Sequence, residues 1–401
     1  MRVAYYSPLP PSKSGIADYS ALLLPALRER VDVVLAKPGR FRRTPDADVA
    51  LYHVGNDPDA HGWIVEALRR RPGVVVLHEL VLHQLVVGLT LARGDSSAYL
   101  TAMERDAGVV GRMLAHGSID HRIAPIWETR PQDFPLAGEV LDLATALIVH
   151  SRHVGDGARR LGFRGPVVRI PHPAWPAPGV AAARIEGDPL IGCFGHLNDA
   201  KRVPQLLEAF GRLQAHRPGA RLLLVGSARS GLRGVELPAD VIREEHVPEE
   251  RLWSLMAACD VHVTMRAPTM GETSGSAIRA LTLGKPLVVS DLGWFAELPV
   301  EVAIKVAPDE REVDTLAAAL ELLAGEEARR RAMGEAARSL AEREHRVDRV
   351  ADAYAEALEE TAGGAIVREQ VVREVATAAA DVGLDDVAPI GAQLREAGLG
   401  E

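Results

Sequence analysis

Short β-branched runs alternate with longer stretches of helical periodicity along the first 170 residues. The runs fall at 3–6, 31–35, 49–52, 74–77, 146–150 and 167–170. Between them, 19–30 carries leucines at helical spacing and 64–71 reads as an amphipathic helix. Crossovers of that length build βαβ units and so a parallel sheet covered on both faces. A proline- and alanine-rich stretch at 171–189 then lacks any period, as an interdomain linker does. After it the alternation restarts with strands at 190–194, 222–225, 261–265 and 287–289 and a helix at 204–214. Helical composition over 326–361 closes this half, and a further helical extension lies beyond residue 364. The expected fold class is α/β, with two doubly wound Rossmann-like domains facing each other across a cleft and helices at the C-terminal end. The domains are expected at 1–175 and 186–345, and helices at 346–401, whose return to the first domain is left open.

Composition narrows the partners. With 401 residues, 47% hydrophobic and 25% charged, the chain is long enough for two cores. A formal net charge of −9 argues against nucleic acid, which needs a basic face. Two local basic clusters survive that argument, Lys37 with Arg40, Arg42 and Arg43, and Arg69 with Arg70 and Arg71. They read either as solvated helix ends or as a surface for an anionic acceptor or a membrane. Cys193 and Cys259 match neither a zinc site nor a redox pair and read as small core residues in a reducing compartment. The first residues, MRVAYYSPLPP, read as a strand entering a loop rather than a signal peptide, and no apolar run is long enough to span a bilayer. The expected location is cytoplasmic, with peripheral contact at the inner membrane face left open.

In an open α/β sheet, ligands lie beyond the carboxyl ends of the strands, so the loops after strands carry the candidate chemistry. The first loop, SPLPPSKSGIADYS, offers Ser14 and Asp18 as helix caps and Gly15 as a close backbone approach for an anion. It has no GxGxxG, which weighs against a dinucleotide-dependent oxidoreductase. The loop GHLNDAKRVP places Lys201 before a helix, where it would neutralise a diphosphate. His196 stands at the strand mouth, and Arg202 is expected to turn to solvent. The loop RAPTMGETSGSAIRALTLGKP gathers Gly271, Thr273, Ser274, Gly275 and Ser276 at a helix start suited to phosphate. Glu272 would repel phosphate, so it reads as an acceptor for sugar hydroxyls or as a helix cap.

These residues resemble glycosyltransferase family 4, retaining nucleotide-sugar-dependent enzymes of the GT-B fold, over about residues 1–360. Gly195, His196 and Lys201 stand where the family carries GR and a lysine, so a histidine replaces the arginine. Glu272 to Gly275 match its E-x-x-G turn, whose carboxylate holds donor hydroxyls and whose amides hold the diphosphate. The family's second, ribose-binding glutamate would fall on Ala280, next to Arg279, and the helix before GKP is one residue short. His78, ending VVVLH, resembles the histidine beside the reacting centre, with His83 facing elsewhere. Gly15 matches the family's glycine loop, and Ser151 and Arg152 a strand mouth facing the acceptor. Residues 241–253 lie where such proteins hold the base.

The resemblance implies transfer of a hexose-type sugar from a nucleoside diphosphate to a carbohydrate, lipid-linked or small-molecule acceptor. The first domain is then the acceptor side and the second the donor side. Catalytic residues would be His78, Lys201 and Glu272. Donor contacts would come from Ser14, Gly15, Gly195, His196, Lys201 and Glu272 to Ser276, and acceptor contacts from Asp18, His78, Ser151 and Arg152. No DxD motif occurs in these loops, so no metal and no cofactor beyond the sugar nucleotide is expected. An epimerase or phosphorylase on the same architecture, or a non-catalytic sugar-nucleotide-binding protein, stays open at this point.

Overall fold

A computed structural model describes residues 1–39, 45–228, 232, 237–363, 365–384 and 388–396. Arg40, Arg42 and Arg43 of the first basic cluster lie outside the described residues. The chain divides into two compact units, Met1–His150 with Gly155–Ile170 and Ala351–Glu401, and Ser151–Val154 with Pro171–Val350.

The first unit holds a six-stranded sheet of β1 (Arg2–Tyr6), β2 (Asp32–Leu35), β3 (Val49–Val54), β4 (Gly73–Leu77), β5 (Ala144–Val149) and β6 (Val167–Arg169). The order is β2-β1-β3-β4-β5-β6, every neighbouring pair parallel. β3 and β4 are buried along their whole length, the signature of strands covered on both faces. The chain steps from β1 out to β2 and returns to β3 on the other side, so the switch point lies between β1 and β3.

The second unit repeats the plan with β7 (Leu190–Phe194), β8 (Arg221–Val225), β9 (Val241–Glu244), β10 (Val261–Thr264), β11 (Leu287–Ser290) and β12 (Ala303–Val306), in order β12-β11-β10-β7-β8-β9. Its switch point lies between β7 and β10, which pair through Val261 and Ile191. Leu206, Phe210 and Leu213 on the helix Val203–His216 cluster with Leu316, Leu320 and Leu323 on the helix Glu312–Gly325, closing one face of the sheet. The opposite face is covered by Ala277, Ile278 and Leu281 of the helix Gly275–Thr282, backed by Leu340 and Ala341.

The helical stretch at 326–361 is two helices, Glu327–Glu344 and Val347–Gly363. The break is explained by His345, whose Nδ1 donates to the His172 carbonyl at 2.7 Å while its own carbonyl accepts from Ala174 N at 2.6 Å. Within the first unit, Tyr354 is fully buried with its hydroxyl 2.7 Å from that of Tyr19. Among the described residues, no helix is long and apolar enough to cross a membrane.

Candidate active site

The loops after β7 and β10 flank the switch point of the second sheet. After β7 the backbone turns at Gly195, whose φ of +105° is a left-handed conformation that favours glycine. Gly226, at φ +141°, lies against it so closely that a Cβ there would run into the Gly195 carbonyl. The loop ends in a short turn, Asp199–Lys201, that brings the Lys201 side chain back under β7. Its Nζ donates to the Phe194 carbonyl at 2.9 Å, and the residue is 3% exposed. Burial, reinforced by the charge of Arg266, pushes its pKa down to about 8.

His196, by contrast, is exposed, and its Nδ1 lies 2.8 Å from Ser227 Oγ. Arg202 corrects the expectation of a solvent-facing side chain. Its Nε lies 3.1 and 3.0 Å from the two carboxylate oxygens of Glu312, and its NH2 group also reaches that carboxylate. Glu312 is 2% exposed, and a buried carboxylate of that kind requires a partner.

The loop after β10 supplies the other wall. Glu272 Oε2 accepts from Met270 N at 2.8 Å and Thr269 Oγ1 at 3.1 Å, while Oε1 lies 2.9 Å from Arg266 Nε. Glu272 therefore does not cap the next helix. Ser274 does, with its Oγ accepting from Ala277 N at 3.3 Å and lying 3.0 Å from Ser276 Oγ. Thr273, Gly275 and Ser276 are half-buried at this helix start. The indole of Trp175 lies beside Gly275, where an added Cβ would sit 3.4 Å from it. That indole also stacks on Arg279, whose guanidinium carbon is 3.7 Å from the ring centroid, and Arg279 NH2 lies 3.6 Å from Glu249. Ala280, the position read as a missing ribose contact, is buried in the core, and the stacked, paired arginine is its neighbour. Residues 241–253 form β9 and the start of the helix Glu249–Ala258, with Glu244 held by Arg251 at 2.5 Å.

In the first unit, Ser14 caps the helix Gly15–Arg28, its Oγ accepting from Ile16 N at 3.3 Å. A Cβ at Gly15 would meet nothing within 4 Å, so space lies open over this helix start, with Asp18 exposed in its first turn. His78 sits just past β4, its N–H bonded to the Val54 carbonyl at 3.0 Å and its Nε2 3.0 Å from His53 Nδ1. His53 Nε2 is buried without a partner. An unpaired lone pair is less costly to bury than an unpaired N–H, which assigns the His53 proton to Nδ1 and makes His53 the donor. His78 then carries its own proton on Nδ1. His150 lies 5.0 Å from His78 ring to ring, and Tyr19 meets His78 edge-on at 4.8 Å. His61 Nδ1 donates to the His53 carbonyl at 3.1 Å.

His83 faces away, bonded to the Phe134 carbonyl and the Tyr99 hydroxyl. Ser151 Oγ accepts from Val154 N, and the amides of Arg152 and His153 donate to Glu297 at 3.0 and 2.7 Å, so that helix start already holds a carboxylate. In the second basic cluster, Arg69 pairs with Glu139 through two bonds, and Arg71 donates to the Pro45 and Ala47 carbonyls.

Arg266, His53 and Tyr19 escaped the sequence reading. For the histidines a signal existed, since His53, His78 and His150 fall at or just past the carboxyl ends of three adjacent strands. Arg266 had none, because its place beside Lys201 depends on the crossing from β7 to β10.

One helix start, one buried lysine and one paired arginine thus converge at the switch point of the second sheet, within the segment that is similar to known proteins. Residues 181–340 match the family Glycosyl transferases group 1. A D-inositol 3-phosphate glycosyltransferase of Segniliparus rotundus is 27% identical over 342 residues, covering 78% of this chain and 66% of that protein. One of Nocardia farcinica is 31% identical over 173 residues, 38% of each chain. This chain therefore spans just under two thirds, and about two fifths, of these relatives. Among solved structures, a sucrose-phosphate synthase from Thermosynechococcus elongatus aligns with a TM-score of 0.59 at 17% identity, over 94% of this chain and all of that one. Anabaena HepE in complex with UDP and glucose aligns with a TM-score of 0.60 at 16% identity, over 90% and 100%. The fold is that of GT-B glycosyltransferases.

Proposed function

We propose that the protein is a glycosyltransferase that takes a hexose-type sugar from a nucleoside diphosphate and passes it to a carbohydrate or lipid-linked acceptor. The observation that carries this reading is the convergence of Lys201, Arg266, Glu272 and the Ser274-capped helix start at a sheet switch point inside the matched segment. A departing nucleoside diphosphate gains negative charge, and preorganised cations and amides aimed at it lower the barrier. Lys201 and the amides of Gly275 and Ser276 are assigned to that charge, and Glu272 to donor hydroxyls. In the first unit, His78, held by His53, is assigned to the acceptor side together with Asp18. For Ser14 and Gly15, at an open helix start of the first unit, a donor role is assigned from the resemblance to family 4 alone. Retention of configuration follows from the resemblance to family 4. Metal independence follows from these cations taking the place of a divalent ion.

The test begins with melting of the whole protein in the presence of UDP-, GDP- and ADP-sugars, because a ligand that binds only the folded state raises the melting temperature. The stabilising donor is then incubated with an acceptor panel in the presence of EDTA, and the product anomer is read by NMR. Turnover of one donor class with retention is the expected result. Stabilisation by none of the donors, or loss of all turnover in EDTA, would count against donor use or metal independence respectively.

A further inference from the structure

His196 is exposed and engaged with Ser227, so the loop after β7 contributes a single buried cation, Lys201. The second comes from across the switch point. Arg266 follows β10, and its main chain is fixed on two sides. Its own N–H donates to Ser290 Oγ at 2.8 Å, and the next residue, Ala267, donates to the Ala200 carbonyl at 2.9 Å, inside the turn that carries Lys201. The two loops are thereby tied together with their cations side by side. The Arg266 side chain is 18% exposed, and its Nε is buried without a hydrogen-bond partner although it lies 2.9 Å from Glu272 Oε1. Its only ion-pair partner among the described residues is Glu272, and the other oxygen of that carboxylate is already taken by Met270 and Thr269.

Two cations and a helix start therefore face one carboxylate. That surplus of positive charge is costly in a half-buried site unless a multiply charged anion joins it. We propose that Arg266 is the second cation of the diphosphate site, held by Glu272 while the site is empty and released to the phosphate when the donor's hydroxyls take over the carboxylate. This rests on the donor reading above and gives it a specific residue. A guanidinium suits the role, because its fork of donors can hold one oxygen of Glu272 and then two of a phosphate without leaving its place.

The test is calorimetric titration of UDP, GDP, ADP and the corresponding monophosphates into the full-length protein. With the diphosphate that binds wild type best, R266Q is expected to weaken affinity at least ~10-fold, and to weaken the monophosphate by less than ~3-fold. E272Q is expected to strengthen the sugar-free diphosphate severalfold, because the arginine is freed, and that gain is expected to vanish in the R266Q/E272Q double variant. R266K, which keeps the charge but not the fork, is expected to recover only part of the loss, and it decides the matter should R266Q melt early. Equal diphosphate affinity in wild type and R266Q, or a gain from E272Q that persists without Arg266, overturns the role of Arg266 and leaves the donor reading intact. Wild type that binds none of the three diphosphates overturns both.

Discussion

At the scale of residues, Lys201 shows how a buried charge is kept at a cost in stability. Its ammonium is buried with a single carbonyl for a partner, and its pKa of about 8 lies below that of an ordinary lysine because of that burial and of Arg266. The unfolded chain binds the lysine proton up to about pH 10.5, so between pH 8 and that value the unfolded state holds more protons and stability rises with pH. Below pH 8 the full cost of the buried charge remains. Lys201→Met is therefore expected to melt higher than wild type at pH 7, with the two curves converging near pH 10, and to lose donor binding. Identical melting profiles across that range would contradict the account. The assignment of Lys201 to the phosphate predicts a diphosphate affinity that is flat just below pH 8 and falls up to ~10-fold per unit above it.

Buried histidines act in the opposite pH range. Burial pushes His61, His83 and His262 down to about 4 and His53 well below its ordinary value. These groups stay neutral in the fold while the unfolded chain takes up their protons below about pH 6.5, so stability is complete above that pH and is lost as pH falls toward 4. Each contributes a slope of ~1.4 kcal/mol per pH unit within its window. Three of the four lie in the first unit. Calorimetry between pH 7 and 5 is expected to show the first unit melting earlier, with amide exchange assigning the transition. A shared, unchanged transition would mean that these rings take up protons in the fold as readily as in the unfolded chain.

At the scale of elements, the strands were the most legible features, because parallel strands buried on both faces are short, almost purely apolar runs. The segments read at 190–194 and 49–52 match β7 and most of β3. The strands that escaped, β9 as VIRE and β12 as AIKV, lie at the two edges of the second sheet, where charged residues interrupt the apolar run. The candidate site was legible where chemistry is local, as in the Ser274 to Ser276 helix start. It was hidden where a residue's partner comes from another loop, as with Arg202 and Glu312, or with Ala267 beside Arg266 and the Ala200 carbonyl beside Lys201. Gly226 belongs to the hidden kind. Nothing in its sequence neighbourhood says that its backbone touches Gly195. Gly226→Ala is expected to cost at least ~2 kcal/mol, through a strained φ and a Cβ pressed on the Gly195 carbonyl, and to weaken diphosphate binding by displacing the loop that carries Lys201. Urea unfolding and calorimetry on the full chain check both parts, and a shift in stability without one in affinity would detach Gly195 from the site.

At the scale of the whole molecule, the division of the chain is not linear. The last helices are grouped with the first unit, more than 180 residues after its sheet is complete. Sequence periodicity marks these residues as helical but cannot say which core they join, because an amphipathic stripe fits any apolar face. Tyr354 supplies the answer in the first unit. It is wholly buried, stacks over His53 at 6.4 Å, and meets Tyr19, the residue that packs edge-on against His78. Removing it opens a large cavity beside the histidine cluster, and Tyr19 loses a hydroxyl partner at the same time. Tyr354→Ala is expected to cost ~3–5 kcal/mol, concentrated in the first unit. Amide exchange should accelerate in β1, β3 and β4 while β7, β10 and β11 keep their protection. Tyr354→Phe separates the two contributions, since it keeps the ring and loses only the hydroxyl pair, and should cost ~1 kcal/mol. Equal acceleration of exchange in both sheets would show that the C-terminal helices stabilise the chain as one cooperative body, and that the tyrosine pair is not specific to the first core.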